Sequence, residues 1–328
     1  MLLGVNYQYQ IVGEILMKQT AGIHHISAIV GHPQENIDFY AGILGLRLVK
    51  KTINFDDPGT YHFYFGNETG KPGTIITFFP WINAYKGKVG GGQVGVTTYA
   101  IPPGKLSFWE QRLQKFHIDY EKTERFGETY LQFEDPHGLQ LELVERQEGE
   151  RNNWTFGDIT PEVAIKGFAG VVLLSVHPEQ TVQTLQHVMG LEKIAEENSF
   201  IRFQSIGDIG NLIDIKVAPQ ERGSMGVGTV HHIAWRAKDD EDQLQWENYI
   251  REKGFGVTPV RDRNYFNAIY FREFGEILFE IATDPPGFMV DESFDSMGQQ
   301  LKLPPQYEHH RSQLEARLVP VEVRNLDK

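Results

Sequence analysis

The sequence predicts an α+β fold in which four copies of one unit form two tandem halves. The first observation behind this prediction is a segment that starts at His32-Pro33 and again at His177-Pro178. Each copy continues with apolar residues at helical spacing and ends, after the same interval, at a Gly-Leu pair. The second observation is a His-His pair on a short β-branched segment, found at His24-His25 and at His231-His232. Such repetition indicates a fold built from copies of one supersecondary unit.

Each unit is predicted to contain a strand, a helix and then several strands. A third repeat supports this order, because Phe133–Leu143 and Phe271–Ile281 both contain a turn followed by an alternating strand that carries a glutamate. The segment between Arg146 and Lys166 is rich in charge, Gly and Asn, which is typical of a link between domains. The four units span about 20–81, 92–147, 166–218 and 227–284.

These limits divide the chain into five parts. Met17 directly precedes the first strand and is a second plausible start, which leaves open whether residues 1–16 belong to the natural protein. We predict an N-terminal extension over 1–19, a first half over 20–147, a linker over 148–165, a second half with a metal site over 166–284, and a tail over 285–328 with a helix at 308–318.

Composition excludes several classes of function. The 328 residues include 31 basic and 44 acidic side chains, and the net charge of −13 argues against nucleic acid and anionic membrane surfaces as partners. Cysteine is absent, so a metal would have to be held by histidine and carboxylate ligands. No apolar run approaches the roughly 20 residues of a membrane span, and residues 1–20 lack the features of a signal peptide. We therefore expect a cytoplasmic protein.

The two His-His pairs are candidates for one shared site. Because neighbouring side chains on a strand point to opposite faces, only one histidine of each pair is expected to face a given ligand. His24 and His231 fall on the faces of the apolar residues that follow them, which leaves His25 and His232 on the more open face. A single strand histidine is more often an ordinary core or surface residue. The repetition favours a metal site instead.

Several longer motifs carry a resemblance to a known family. They are Leu44-Gly45-Leu46, Val49–Thr52, Pro72–Thr74, Thr77–Trp81, Gly228–Ala234 and Leu278–Phe288. Over about residues 20–290 the chain resembles the vicinal oxygen chelate superfamily of glyoxalases, bleomycin resistance proteins and extradiol dioxygenases. In that superfamily βαβββ modules pair and curl a sheet around a metal ion. Within it, these motifs are most similar to the ring-cleaving dioxygenases that act on hydroquinones.

The resemblance implies two ligand positions in each module. The positions are His25 and Thr77 in module one, Thr98 and Glu142 in module two, Gly170 and Asp214 in module three, and His232 and Glu280 in module four. Pairing modules one and four gives His25, His232 and Glu280, whereas pairing one with two or three with four never gives two histidines. Two histidines and one carboxylate suit non-haem Fe(II), with Mn(II) as the alternative. Glu142 and Asp214 are expected to be solvated or salt-bridged rather than to bind a second metal ion.

The resemblance also places five residues around the ligands: His24, Ser27, His231, Arg263 and Tyr270. Tyr270 and a histidine would transfer protons, and Arg263 would stabilise developing negative charge on the substrate. Ser27 stands where a characterised branch has threonine. The alternative for Arg263 is a plain surface ion pair within 261–263.

The function implied is an Fe(II)-dependent dioxygenase that uses O2 to open a hydroquinone- or catechol-type ring, in a chain that forms a homo-oligomer. Three alternatives stay open: a glyoxalase-type isomerase, a thiol transferase on the same fold, and a metal-free binding protein of the bleomycin-resistance kind. The isomerases usually need a fourth protein ligand, and Thr77 is a poor one. The sequence does not specify the aromatic substrate or the position of cleavage.

Overall fold

The structure, a computed structural model, describes residues 10–12 and 15–328. Much of the predicted extension over 1–19, including residues 1–9, 13 and 14, lies outside the described residues. The described residues of this extension form two short strands that pair in antiparallel orientation. No helix in the described part of the chain is long and apolar enough to cross a lipid bilayer.

The described residues form many short strands and a few helices, as the α+β prediction requires. The strands are β1 Gln10–Val12, β2 Ile15–Met17, β3 Ile23–Val30, β4 Arg47–Ile53, β5 Tyr61–Gly66, β6 Ile75–Pro80, β7 Gln93–Ile101, β8 Tyr120–Arg125, β9 Glu128–Glu134, β10 Gln140–Glu145, β11 Gly167–Leu174, β12 Glu192–Glu197, β13 Phe200–Gln204, β14 Leu212–Lys216, β15 Thr229–Ala237, β16 Arg261–Asp262, β17 Phe266–Arg272 and β18 Leu278–Pro286. The α-helices are α1 Pro33–Ile37, which continues as a π-helical segment over Asp38–Ile43, α2 Leu106–Lys115, α3 Pro178–His187, α4 Asp240–Glu252 and α5 Arg311–Arg317. Three 3-10 helices span Phe288–Val290, Phe294–Ser296 and Pro305–His310.

Two eight-stranded sheets contain all strands from β3 onward. The first sheet has the order β16-β17-β18-β15-β3-β6-β5-β4, and the second has the order β12-β13-β14-β11-β7-β10-β9-β8. Module one therefore pairs with module four through antiparallel β3 and β15, as the choice of ligands assumed. Modules two and three pair in the same way through β7 and β11. Each sheet combines strands from both halves of the sequence, so the candidate metal site is shared by the halves and does not belong to 166–284 alone.

The helices pack against the sheets through large apolar side chains. Each of the first four helical segments contributes at least one fully buried residue of this kind, among them Tyr40, Trp109, Leu185 and Trp246. Because helices cover one face of each sheet and the other face curls inward, the central strands have little contact with solvent. All eight residues of β3 are buried. Polar residues on this strand are consequently held in a dry, rigid setting, which suits a site that must keep its geometry.

The tail returns to the first sheet and closes one side of it. Phe288 and Met297 pack with Tyr64 in a small apolar cluster beside the candidate site. The fully buried amine of Lys50 on β4 donates to the carboxylate of Glu292, which is also buried. The predicted helix over 308–318 corresponds to a 3-10 turn followed by α5. Residues 148–165 form neither a strand of a sheet nor a helix.

Candidate metal centre

Bulges in the two central strands shape the site. Along the β3–β15 pair, Val230 is opposite Ala28 but His232 is opposite Ser27, so His231 is an extra residue in β15. Farther along, Ala234 is opposite His25 and Trp235 is opposite Ile23, so His24 is an extra residue in β3. A bulge interrupts the alternation of side chains and redirects them locally. Each bulge lies at the histidine that precedes a candidate ligand.

The bulges overturn the expectation that neighbouring histidines point to opposite faces. The Nδ1 atoms of His24 and His25 are 2.9 Å apart, and those of His231 and His232 are 2.7 Å apart. Each pair of rings is therefore joined on the same side of its strand. His231 in particular does not face the apolar packing but lines the same cavity as His232. A strict two-residue alternation of side chains could not predict this orientation of His231, because the extra residue shifts the alternation by one position.

The structure brings together His25, His232 and Glu280, the three predicted metal ligands. The Nε2 atoms of the two histidines are 3.2 Å apart, and the Glu280 Oε2 atom lies 2.9 Å from His232 Nε2 and 3.6 Å from His25 Nε2. Atoms bonded to one metal ion at about 2.1 Å, with right angles between the bonds, lie about 3.0 Å apart. The three donor atoms thus lie close enough together for one ion to be held by all of them.

The environment of Glu280 fits a cation better than it fits an ordinary buried acid. Its side chain is completely buried, and among the described residues neither carboxylate oxygen accepts a hydrogen bond. Burial opposes ionisation, but His25 and His232 beside it outweigh burial and hold the pKa of this carboxyl well below its usual range. A buried charge without hydrogen bonds is costly unless a metal ion or another charge compensates it. Positive charge beside the carboxylate, from protonated histidines or from a bound metal ion, meets this requirement, and two histidines with one carboxylate are a donor set that fits a metal ion.

Outer partners fix the orientation of both histidine ligands. When the Nε2 atom of His25 faces the triad, its Nδ1–H donates to His24 Nδ1, and the Nε2–H of His24 donates to the carbonyl of Thr283 at 3.1 Å. His231 supports His232 in the same way. Burial, and then the neighbouring His232, lower the pKa of His231 to about 3, and burial lowers the pKa of His24 as well. Both outer rings are therefore neutral and able to accept a hydrogen bond from a ligand.

A cavity of about 320 Å³ opens onto the two histidine ligands. This volume is at the small end of the range for small-molecule sites, which suits a ligand with one ring. Of the five predicted catalytic residues, Ser27, His231, Arg263 and Tyr270 line it, whereas His24 lies behind His25 and does not. The sequence analysis missed several further lining residues: Asn54, Phe55, Asp56, Asp57, His62, Tyr64, Phe79, Trp81 and Phe266.

Arg263 reaches the cavity because of a tight turn between β16 and β17. Asn264 adopts a left-handed backbone conformation with φ of 65°, and its N–H donates to the side chain of Asp262. The Arg263 guanidinium donates to the Tyr270 hydroxyl at 3.3 Å and to the exposed Asp56 carboxylate at 3.3 Å. Its partner is thus a residue of module one, so the alternative of an ion pair within 261–263 is wrong.

Four side chains that flank the ligands form one continuous hydrogen-bonded chain. Ser27 Oγ lies 2.7 Å from Thr77 Oγ1, Thr77 Oγ1 lies 2.9 Å from His62 Nε2, and His62 Nδ1 lies 3.0 Å from the Tyr64 hydroxyl. Thr77 on β6 takes the position in module one that Glu280 takes in module four. Its hydroxyl is bonded to Ser27 and His62, so this fourth position is used for hydrogen bonding.

In the second sheet, arginine side chains lie beside Glu142 and Asp214, the carboxylates at the corresponding positions. Arg125 donates to both oxygens of Glu142 at 2.8 and 2.7 Å and to Asp214 at 2.7 Å. Arg202 donates twice more to Asp214, at 2.7 and 2.8 Å. The expectation that these acids are salt-bridged is confirmed. The guanidinium groups supply the positive charge that a cation supplies in a metal site, and the described residues contain only the first sheet's metal cluster.

Comparisons with known proteins agree with this geometry. The profile of the Glyoxalase/Bleomycin resistance protein/Dioxygenase superfamily matches residues 22–143 and 167–291. MhqO of Bacillus subtilis (strain 168), named provisionally as a ring-cleaving dioxygenase, is 67% identical over 312 residues, which are 95% of this chain and 100% of that protein. The chlorohydroquinone/hydroquinone 1,2-dioxygenase of Sphingobium indicum is 34% identical over 311 residues, covering 91% of this chain and 96% of the relative.

A solved structure is similar over nearly the whole chain. The crystal structure of a Bacillus subtilis subsp. subtilis str. 168 protein, provisionally described as a dioxygenase, has a TM-score of 0.94 at 68% sequence identity and covers 94% of this chain and 100% of that one. The matched profile, the high identity and the two curled sheets lead to one conclusion. The chain belongs to the Glyoxalase/Bleomycin resistance protein/Dioxygenase superfamily.

Proposed function

We propose that the chain is a non-haem Fe(II)-dependent dioxygenase that inserts O2 into a hydroquinone- or catechol-type ring and opens it. The observation that carries this proposal is the buried group of His25, His232 and Glu280 at the end of a small, aromatic-walled cavity. Two histidines and one carboxylate that leave further positions open suit Fe(II), and Mn(II) is the alternative. The same reaction is supported by two relatives, one named provisionally as a ring-cleaving dioxygenase and one named as a chlorohydroquinone/hydroquinone 1,2-dioxygenase.

The cavity walls suit a flat aromatic ring. Phe79, Trp81, Phe266 and Tyr64 present aromatic surfaces to it. Phe266 packs 4.8 Å from the His25 ring, measured between ring centres, so it closes one side of the site next to the ligands. Aromatic walls bind a phenolic ring by stacking and exclude water from the space around it. Bound Fe(II) would supply a cation that binds an ionised phenol oxygen and O2 side by side.

Charged and proton-carrying residues surround the same space. Burial, and then the charge of Glu280, raise the pKa of Tyr270 above its ordinary value, so its hydroxyl keeps its proton and can donate it. The Arg263 cation lies next to that hydroxyl and stabilises negative charge that develops on the substrate. His231 is neutral and lines the cavity, and because its Nδ1 accepts the hydrogen bond from His232, its Nε2–H can donate to an oxygen of the substrate.

A glyoxalase-type isomerase is the main competing activity. The fourth ligand that such isomerases usually need would have to come from Thr77, and its hydroxyl is bonded to Ser27 and His62. This arrangement favours the dioxygenase, which needs open positions for its two substrates. A homo-oligomeric state and a cytoplasmic location stay predictions.

Oxygen consumption tests the proposed function. The protein is reconstituted with Fe(II) without oxygen, and uptake of O2 is followed with hydroquinone, methylhydroquinone and catechol. We expect uptake together with a new absorbance from a ring-opened product. Stoichiometric iron without oxygen uptake would contradict the dioxygenase and favour the isomerase or transferase. A protein that binds no metal would leave only a binding role.

Arg263→Lys is expected to lower kcat/KM for the aromatic substrate by about 10- to 100-fold, because lysine keeps the charge but cannot donate to Tyr270 and Asp56 together. Steady-state oxygen uptake measures this change. Arg261→Lys is the matched control, since Arg261 is an exposed residue of the same hairpin. Equal losses in both variants would show that Arg263 has no special role at the cavity.

A further inference from the structure

The chain of hydrogen bonds beside the ligands has two ends in the same cavity. Ser27 and Tyr64 both line the cavity, as does His62, whereas Thr77 is fully buried beneath it. All three links have lengths between 2.7 and 3.0 Å, within the range of ordinary hydrogen bonds. Both ends of this network therefore lie at the cavity wall, where a substrate could reach them.

We propose that Ser27, Thr77, His62 and Tyr64 form a proton relay that connects two points of the substrate cavity. The inference rests on the proposed function, to which it adds Thr77, His62 and Tyr64, three residues that were not predicted to be catalytic from the sequence. Ser27 and Tyr64 are the groups that would exchange protons with the substrate, and Thr77 and His62 carry the proton between them.

The transfer balances without an added reactant. A substrate hydroxyl gives its proton to Ser27 Oγ while the Ser27 proton moves to Thr77 Oγ1 and the Thr77 proton moves to His62 Nε2. The proton on His62 Nδ1 then moves to the Tyr64 hydroxyl, whose own proton passes to an oxygen of the opening ring or to water at that end. One proton leaves one oxygen and arrives at another. The only lasting change in the chain is that His62 exchanges one neutral tautomer for the other.

The surroundings of His62 favour this tautomer exchange over the formation of a charged ring. Its side chain is buried between Tyr64 and Phe79, with ring-centre distances of 4.1 and 4.4 Å. Burial, followed by the nearby histidines and Arg263, lowers its pKa well below the ordinary value. Both ring nitrogens are nevertheless hydrogen-bonded, so a neutral ring can accept a proton at one nitrogen while it releases one from the other.

Thr77→Val is the sharpest test, because valine has the shape of threonine and Thr77 does not line the cavity. With enzyme reconstituted with Fe(II) and with hydroquinone as substrate, we expect kcat to fall by about 100-fold or more and the solvent deuterium isotope effect on kcat to change. The iron content and the KM for hydroquinone should stay as in the wild type. Thr77→Ser, which restores the hydroxyl, is expected to recover most of the rate. A Thr77→Val enzyme with the kcat and isotope effect of the wild type would overturn the relay.

A second measurement does not depend on turnover. Proton-coupled nitrogen NMR of the metal-free protein, labelled at histidine nitrogens, reports the protonation of His62, and its signals are identified by their loss in His62→Gln. The relay predicts a neutral ring with both nitrogens in hydrogen bonds. A charged ring, or a ring with one nitrogen free, would overturn the relay even if the enzyme consumes oxygen. The opposite combination is also informative. If the His62 ring is neutral and hydrogen-bonded at both nitrogens but the protein oxidises no aromatic diol, the proposed function is wrong and the hydrogen-bonded chain stands.

Discussion

His232→Ala is expected to abolish metal binding and ring cleavage while the protein stays folded. Loss of a group that only orients a metal ligand costs about 10- to 100-fold in affinity or activity, so loss of the ligand itself should cost more than about 100-fold. The purified variant is reconstituted with Fe(II) beside the wild type, and bound iron and oxygen uptake are compared. His309→Ala is the control, because His309 is exposed on a tail segment and belongs to no cluster of candidate ligands.

Glu280→Gln tests whether Glu280 is a metal ligand or an acid that mainly stabilises the fold. Glutamine keeps the shape of the fully buried Glu280 side chain. It removes the attraction of His25 and His232 but also the cost of burying a charge, so the melting temperature of the metal-free variant should change little. The variant should still lose Fe(II). A large drop in the stability of the metal-free variant would instead show that Glu280 serves mainly as an ion-pair partner of the two histidines.

The largest effect on stability is expected from Arg125→Met in the second sheet. This change removes the three hydrogen bonds that Arg125 makes to Glu142 and Asp214. Asp214 keeps Arg202, but of its described partners Glu142 keeps only the hydroxyl of Thr98. An uncompensated buried charge of this kind costs about 3–5 kcal/mol in the free energy of unfolding. Denaturant unfolding measures the loss.

Two controls identify the cause of that loss. Lys122 lies on the same strand as Arg125, and Lys122→Met removes its ion pair with Glu110 of α2. Because Lys122 is 54% exposed, solvent screens this pair and the expected cost is small. The double variant Arg125→Met with Glu142→Gln should recover much of the stability, because the unpaired charge is gone. If the double variant is less stable than Arg125→Met, packing of the arginine stem and not charge pairing explains the loss.

Repeated motifs made much of this fold predictable. The His-Pro to Gly-Leu segments marked two helices, and the His-His pairs, together with the ligand positions that the family resemblance implies, allowed modules one and four to be paired. Periodicity, however, describes ideal strands. The extra residues His24 and His231 are set by how β3 and β15 meet, a long-range property that no short window of sequence contains.

The remaining residues of the site were missed because their meaning depends on their neighbours in space. His62 and Tyr64 alternate on β5, a pattern that indicates one shared face but not what that face covers. Likewise, Arg125 and Arg202 come from two different modules, and only the pairing of modules two and three brings them to the same acids. The family motifs therefore identified three residues that the structure brings together, but not most of the residues around them.

The most direct test of the shared metal centre is the iron content of protein reconstituted with Fe(II) in the absence of oxygen, measured by elemental analysis for the wild type, His25→Ala and His232→Ala. A site that takes ligands from both halves predicts one iron per wild-type chain and almost none in either variant. Full iron content in either variant, or two irons per wild-type chain, would contradict the pairing of modules one and four around a single ion.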